Sequence, residues 1–128
     1  MNKWVENVRD FHRRFGCFLP QQPTNLSLEN TDLQTTLQNN EHEELIEALD
    51  EGDLAQTVAE CIDNIYVSIG TILTLGVDPE KMWDAIHRAN MLKMKNPLGN
   101  ILLKPPGFVP VDPHKILEQE LKIANGLT

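Results

Sequence analysis

Cysteine is scarce in this chain of 128 residues: it has two, Cys17 and Cys61, and neither stands in a Cys-x-x-Cys pair. A disulfide framework is thereby excluded, and Cys61 reads as a small buried residue on a helix. Long apolar runs are missing as well. The apolar stretch Ile65–Val77 is preceded by Asp63 and Asn64 and closed by Asp78 and Pro79, too short to cross a bilayer. Charges run through the opening MNKWVENVRDFHRRFG, which leaves no signal-peptide core, so a cytoplasmic protein is expected. Large aromatics are few. Trp4 and Trp83 are the only tryptophans, so the core must rely on Leu, Ile and Val.

Basic residues are absent from a long span. No Lys or Arg occurs between Arg14 and Lys81, a span that holds Glu41, Glu43, Glu44, Glu47, Asp50, Glu51, Asp53, Glu60 and Asp63. Basic residues return at Lys81, Arg88, Lys93, Lys95 and Lys104. The formal net charge of −8 argues against nonspecific nucleic-acid binding, and no membrane association is expected. An acidic middle followed by a basic segment suits a metal and an anion bound side by side.

What is present is helical periodicity. Trp4, Val8, Phe11 and Phe15 mark a first helix over about 3–15, stopped by Gly16. A loop with Pro20 and Pro23 follows. A second helix is expected from near Asn30 or Thr31, both good caps, to Glu51, where Gly52 breaks it. Asp53 caps a third, running to about Leu75 with the apolar stripe Leu54, Val58, Ile62, Ile65, Ile69 and Ile72. Beyond Glu60 it is apolar nearly all round, which predicts a central, buried helix. Asp78-Pro79-Glu80 opens a fourth, with Asp78 as cap. Residues 95–112 read as a long loop without strands, and 113–124 as a short peripheral helix. The expected fold is all-α, an up-and-down bundle of about five helices forming a single domain over 1–128. At this size such a bundle often completes its core by oligomerising.

Helical phase sorts the acids. Residues three or four apart share a helix face, so Glu41/Glu44 and Glu60/Asp63 are each a pair able to hold one ion. Leu33, Leu37 and Ala48 set the inward stripe of the second helix, and Glu41 and Glu44 fall within it. Glu43, Glu47 and Asp50 fall together on another face, as solvated acids should. An alternative frame takes the string Glu43, Glu44 and Glu47 as the working acids; Glu44 belongs to both. Clustered buried carboxylates are expensive unless a cation joins them. Oxygen ligands without Cys or His favour Mg²⁺ or Mn²⁺ over Zn²⁺.

At these residues the sequence resembles the all-α nucleotide pyrophosphohydrolases, the MazG-like and phosphoribosyl-ATP pyrophosphohydrolase-like group that includes dimeric dUTPases. Glu60-Cys61-Ile62-Asp63 is similar to the group's Glu-x-x-Asp motif, and NIYVSIGTILTLGVD to its continuation. His87-Arg88-Ala89-Asn90-Met91-Leu92-Lys93 resembles its His-Arg-x-Asn-Met-x-Lys signature. The stretch from Lys104-Pro105-Pro106-Gly107-Phe108 to Asp112 resembles its closing segment. The resemblance implies metal ligands at Glu41, Glu44, Glu60 and Asp63, with Glu47 the alternative. It implies nucleotide or phosphate contacts from Asn90, Lys93 and Lys104, and a homodimer or homotetramer. The group's first motif is Glu-Glu-x-x-Glu, and in the preferred frame its first Glu falls on Asn40. Asn can orient the attacking water but cannot deprotonate it, so neighbouring Glu43 is a second candidate for that role.

The expected activity is Mg²⁺-dependent hydrolysis of a nucleoside triphosphate between its α- and β-phosphates, releasing a monophosphate and pyrophosphate. The base would stack on a wall near Tyr66 or Trp83. The resemblance suggests housecleaning of a deoxynucleotide such as dUTP or dCTP. The alternatives are phosphoribosyl-ATP hydrolysis, and a helical dimer that binds nucleotide or metal without turnover.

Overall fold

Local chemistry at the helix ends sets the architecture. In the computed structural model, which describes residues 2–97, 99 and 102–124, α1 spans Lys3–Phe15. The Asn2 side chain caps it by accepting from the amides of Trp4 and Val5 at 2.9 and 3.3 Å. Helix α2 spans Leu28–Glu51. It starts earlier than expected, because Ser27 Oγ accepts from the amide of Asn30 at 3.1 Å and adds a turn. Gly52 ends α2 at φ 70°, a backbone that glycine adopts without a Cβ clash. Asp53 then caps α3, Leu54–Thr74, by accepting from the amide of Gln56 at 3.0 Å. Only Gly52 and Asp53 separate the two helices, so they fold back as an antiparallel hairpin.

The chain forms two compact units, Met1–Asp78 and Pro79–Thr128. In the first, residues equidistant from the turn meet across the hairpin. Thr71 Oγ1 donates to Gln34 Oε1 at 2.7 Å, and Gln38 Nε2 donates to Thr71 Oγ1 at 3.1 Å and to Ser68 Oγ at 3.4 Å. The row of α2 turned toward α3 is therefore Gln34, Gln38, Glu41, Leu45 and Ala48, which with Asn30 are the positions of that helix not exposed to solvent. This corrects the apolar stripe drawn through Leu33 and Leu37, which are exposed. Glutamines hold the positions that leucines were expected to hold.

Helix α1 packs on the C-terminal half of α3. Val5, Val8 and Leu73 form the buried cluster, with Leu19 and Ile69 against it. Gly70 permits the approach: a Cβ there would lie 3.3 Å from Nε2 of the buried His12, whose Nδ1 meets the Phe18 carbonyl oxygen at 3.3 Å. The loop before α2 is tied to the end of α3 by the Thr24 amide, which donates to the Leu75 carbonyl at 2.8 Å.

Helix α3 is central to this unit, touching both α1 and α2, but it is not buried throughout. Leu54, Val58 and Ile62 are 81 %, 54 % and 46 % exposed, and Ile65 is exposed as well. Cys61, expected inside, lies exposed on the same helix. Much of the apolar stripe of α3 is thus left uncovered by α1 and α2.

In the second unit α4 spans Glu80–Met91 and begins one residue later than expected, with Pro79 at its N-cap. The stretch read as a loop contains an antiparallel strand pair, β1 (Met94–Lys95) and β2 (Leu102–Leu103), in which Met94 faces Leu103. Asp112 caps α5, Pro113–Ala124, by accepting from the amides of His114 and Lys115 at 3.1 and 3.3 Å. Helix α5 packs against α4. The fold class is all-α, with five helices among the described residues. None of them is long and apolar enough to cross a membrane.

Candidate metal centre

The hairpin brings acids from distant parts of the sequence together. Glu41 stands in the α2 row that faces α3, while Glu60 and Asp63 lie one turn apart on α3. One carboxylate oxygen from each of the three lies within 4.8 Å of the others. Glu60 is only 8 % exposed, Glu41 is half-buried and Asp63 opens to solvent. Such a gradient gives a site closed at its floor and open on one side.

The floor is incompletely satisfied. Gln56 Nε2 donates to Glu60 Oε1 at 2.7 Å and uses one side of that carboxylate. Glu60 Oε2 and Glu41 Oε2 are buried and have no hydrogen-bond partner among the described residues. A buried acceptor without a donor costs about 1–3 kcal/mol, and more when charged. Two such oxygens from facing helices also repel each other. A cation removes both penalties, so the donor set fits a hard divalent ion.

Glu44, one turn beyond Glu41, sits beside this cluster and is exposed. Its carboxyl is held above the usual carboxylate range, first by the charge of Glu41 and then by that of Glu60. Three of the four expected metal ligands thus form one compact group, and the fourth borders it closely enough to feel their charge. Glu43 and Glu47 are elsewhere. Together with His42, Ile46, Asp50 and Glu51 they line a shallow depression on α2, and Glu43 points roughly 180° away from α3 by helical phase. Asn40, also exposed, lies four residues before Glu44 and, by helical phase, roughly 120° from the row that faces α3, closer to the face of Glu47 than to the acids.

Tyr66 is partly exposed one turn beyond Asp63 and meets the Phe11 ring edge-on, with ring centres 5.7 Å apart. Asn90, Lys93 and Lys104 belong to the second unit. Asn90 is exposed near the end of α4, Lys93 is half-buried just after it, and Lys104 Nζ lies over the Phe108 ring at 5.9 Å.

Two contacts at the cluster come from residues that the sequence did not single out. Gln56 holds a Glu60 oxygen, and Asn64 Nδ2 donates to the backbone carbonyls of Glu41 and Glu60 at 2.9 and 2.8 Å. Their spacing was the available signal: they stand four residues before and four after Glu60, on the same face of α3.

The family model described as phosphoribosyl-ATP pyrophosphohydrolase matches residues 8–90, from the middle of α1 to the end of α4. The chain belongs to that family. Members of the phosphoribosyl-ATP pyrophosphohydrolase family are hydrolases acting on phosphoric anhydrides, within the MazG-like all-α nucleotide pyrophosphohydrolase superfamily. They are generally dependent on a divalent metal, and the matched segment contains all the acids of the cluster. Asn90 is the last matched residue, so Lys93 and Lys104 lie beyond the match. No curated protein matches the chain.

Proposed function

We propose that this protein is a Mg²⁺-dependent nucleoside triphosphate pyrophosphohydrolase, with Mn²⁺ as a working substitute, that converts a surplus or noncanonical (d)NTP such as dUTP or dCTP to its monophosphate and pyrophosphate in the cytoplasm. One observation carries the reading. Glu41 and Glu60 each bury an oxygen without a hydrogen-bond partner among the described residues, and with Asp63 they bring carboxylate oxygens within 4.8 Å of one another, inside a segment matched to a pyrophosphohydrolase family.

Glu41, Glu60 and Asp63, with Glu44 at the margin, hold the cation; Glu47 is the alternative to Glu41. The cation, when bound, neutralises phosphate charge and lowers the barrier to attack by water. The chain's own residues do the rest. Gln56 holds Oε1 of the Glu60 carboxylate and so fixes its orientation. Asn40, one turn before Glu44, is the first candidate to orient the attacking water. Lys93 and Lys104 stabilise charge on the departing pyrophosphate, Asn90 contacts the nucleotide, and Tyr66 offers a stacking wall. Residues 1–128 act as one functional domain.

A second copy of the chain covers the exposed stripe Leu54, Val58, Ile62 and Ile65, giving a homodimer or a homotetramer. Continuous exposed apolar surface of this kind is rare on monomers. The buried apolar cluster of the first unit is small beside it, which supports completion by a partner copy.

Phosphoribosyl-ATP is the second substrate to consider, because the matching family is described by that activity. Pyrophosphate release measured across all ribo- and deoxynucleoside triphosphates with Mg²⁺, alongside phosphoribosyl-ATP, separates the two. Growth of a histidine-requiring strain supplied with this chain gives an independent answer. Metal binding with no turnover of any nucleotide would leave a binding protein instead.

A further inference from the structure

We infer that Asn64 is the positioning residue of the acidic cluster, the side chain that fixes α2 against α3 at the level of the metal ligands; this rests on the metal-holding reading above. Its amide nitrogen has two hydrogens. One goes to the backbone carbonyl of Glu41 on α2 at 2.9 Å, the other to that of Glu60 on its own helix at 2.8 Å. A single planar group thus joins the main chains that carry two of the three clustered carboxylates.

Both carbonyls lie well inside their helices, at positions where each already accepts from the amide four residues on. The Asn64 bonds are additional, so neither helix needs them to close its turns. What they supply is between the helices. Three carboxylates within 4.8 Å repel one another, and that repulsion pushes α2 away from α3. Asn64 opposes it at the backbone and keeps the ligand oxygens within reach of one ion before the ion arrives. Gln34 and Gln38 also join the helices, through Ser68 and Thr71, but they meet α3 beyond the acids. The inter-helix bond of Asn64 ends on a cluster residue itself.

The test is Mn²⁺ binding to the full chain, followed by electron paramagnetic resonance, in the unaltered protein and in Asn64→Leu, Asn64→Ser and Gln38→Leu. Leucine keeps the branched shape and removes both donors; serine can still reach the carbonyl of Glu60 but not that of Glu41. Circular dichroism is recorded for each. The expected result is undiminished helicity in all variants. The Mn²⁺ dissociation constant should rise about 10- to 100-fold for Asn64→Leu, the range typical of groups that orient metal ligands, and by less for Asn64→Ser. Gln38→Leu should leave it unchanged. Equal losses in Gln38→Leu and Asn64→Leu would make Asn64 one of several interchangeable packing contacts and overturn the assignment. So would unchanged affinity in both Asn64 variants, or loss of helicity in Asn64→Leu. Failure of the unaltered protein to bind Mn²⁺ is a different outcome, and it overturns the metal-holding reading together with the inference.

Discussion

Helix α3 makes two contacts of opposite character. Toward α1 it presents Gly70 and Leu73 to Val8 and Val5, an apolar contact beside the buried His12, whose Nε2 would lie 3.3 Å from a Cβ at position 70. Toward α2 it presents Glu60, Asn64, Ser68 and Thr71 to Glu41, Gln38 and Gln34, a contact made largely of hydrogen bonds and facing acids. Apolar burial is non-directional and stabilises in proportion to area. Hydrogen bonds add little net stability but fix distances and angles. The first contact accordingly anchors the helix, and the second sets where its acids stand.

The comparison breaks most visibly at the acids. Glu60→Gln and Glu41→Gln should each lower metal-dependent turnover by at least about a hundredfold, because each removes a charge from the ion's floor. Thermal unfolding of the same variants without metal should occur at a higher temperature than in the unaltered chain, since like charges have been relieved. Glu47→Gln should leave metal binding and turnover intact. Loss of metal binding in Glu47→Gln alone would transfer the site to the other face of α2.

The opposite result is expected at the apolar contact. Leu73→Ala should destabilise the protein by about 2–5 kcal/mol, the range for a buried leucine. Denaturant unfolding measures this, and the fraction that remains folded should bind Mn²⁺ as before. A third change addresses the uncovered side of α3. If a second copy covers it as proposed, Ile62→Glu should leave the chain monomeric in sedimentation or light scattering with helicity unchanged. A monomeric unaltered chain would remove the second copy from the picture.

The smallest effect is the pH dependence of the polar contact. Glu44 has its carboxyl raised above the ordinary value of 4.5, with the charge of Glu41 as the first cause. A raised folded-state value means that the folded protein holds the proton more tightly than the unfolded chain does. The associated stability is present below the ordinary value and is lost as pH rises through the raised one. Melting temperature without metal should therefore decline as pH climbs above the ordinary carboxylate range. Glu44→Gln, or added Mg²⁺, should flatten that decline. An identical slope in Glu44→Gln would show that Glu44 does not feel its neighbours.

The two contacts were not equally legible in the sequence. The apolar one was readable only in part: Val8 and Ile69 stand in the stripes expected on α1 and α3, but Leu73 and Gly70 do not, and Trp4, Phe11 and Phe15 of the α1 stripe are exposed. Gly16, Gly52 and Asp53 mark ends that the helices respect. The pairing of Glu60 with Asp63 was readable from helical spacing. The row that α2 turns toward α3 was not. Hydrophobic phase pointed to Leu33 and Leu37, and only the tertiary pairing of Gln34 and Gln38 with Ser68 and Thr71 rotates the helix to its observed face. Ser27 was passed over as a cap because Asn30 and Thr31 are equally good ones by type. The strand pair at Met94 and Leu103 is two residues long on each side, too short to show a period. Exposure of Leu54, Val58 and Ile62 was invisible in principle, because an apolar stripe looks the same whether its cover lies within the chain or outside it.

The Gly52–Asp53 turn has a consequence for how this gene can vary. Short exposed turns are ordinarily where insertions and deletions are best tolerated. Here the turn is the origin from which Glu41 and Asn64 are counted off in opposite directions. One residue added to either helix between the turn and these positions shifts them by about 1.5 Å and swings them by roughly 100°, enough to part the acids while leaving both helices intact. Length in this segment should be held more strictly than the identity of most residues in it, so that descendants diverge here by substitution rather than by gain or loss of codons.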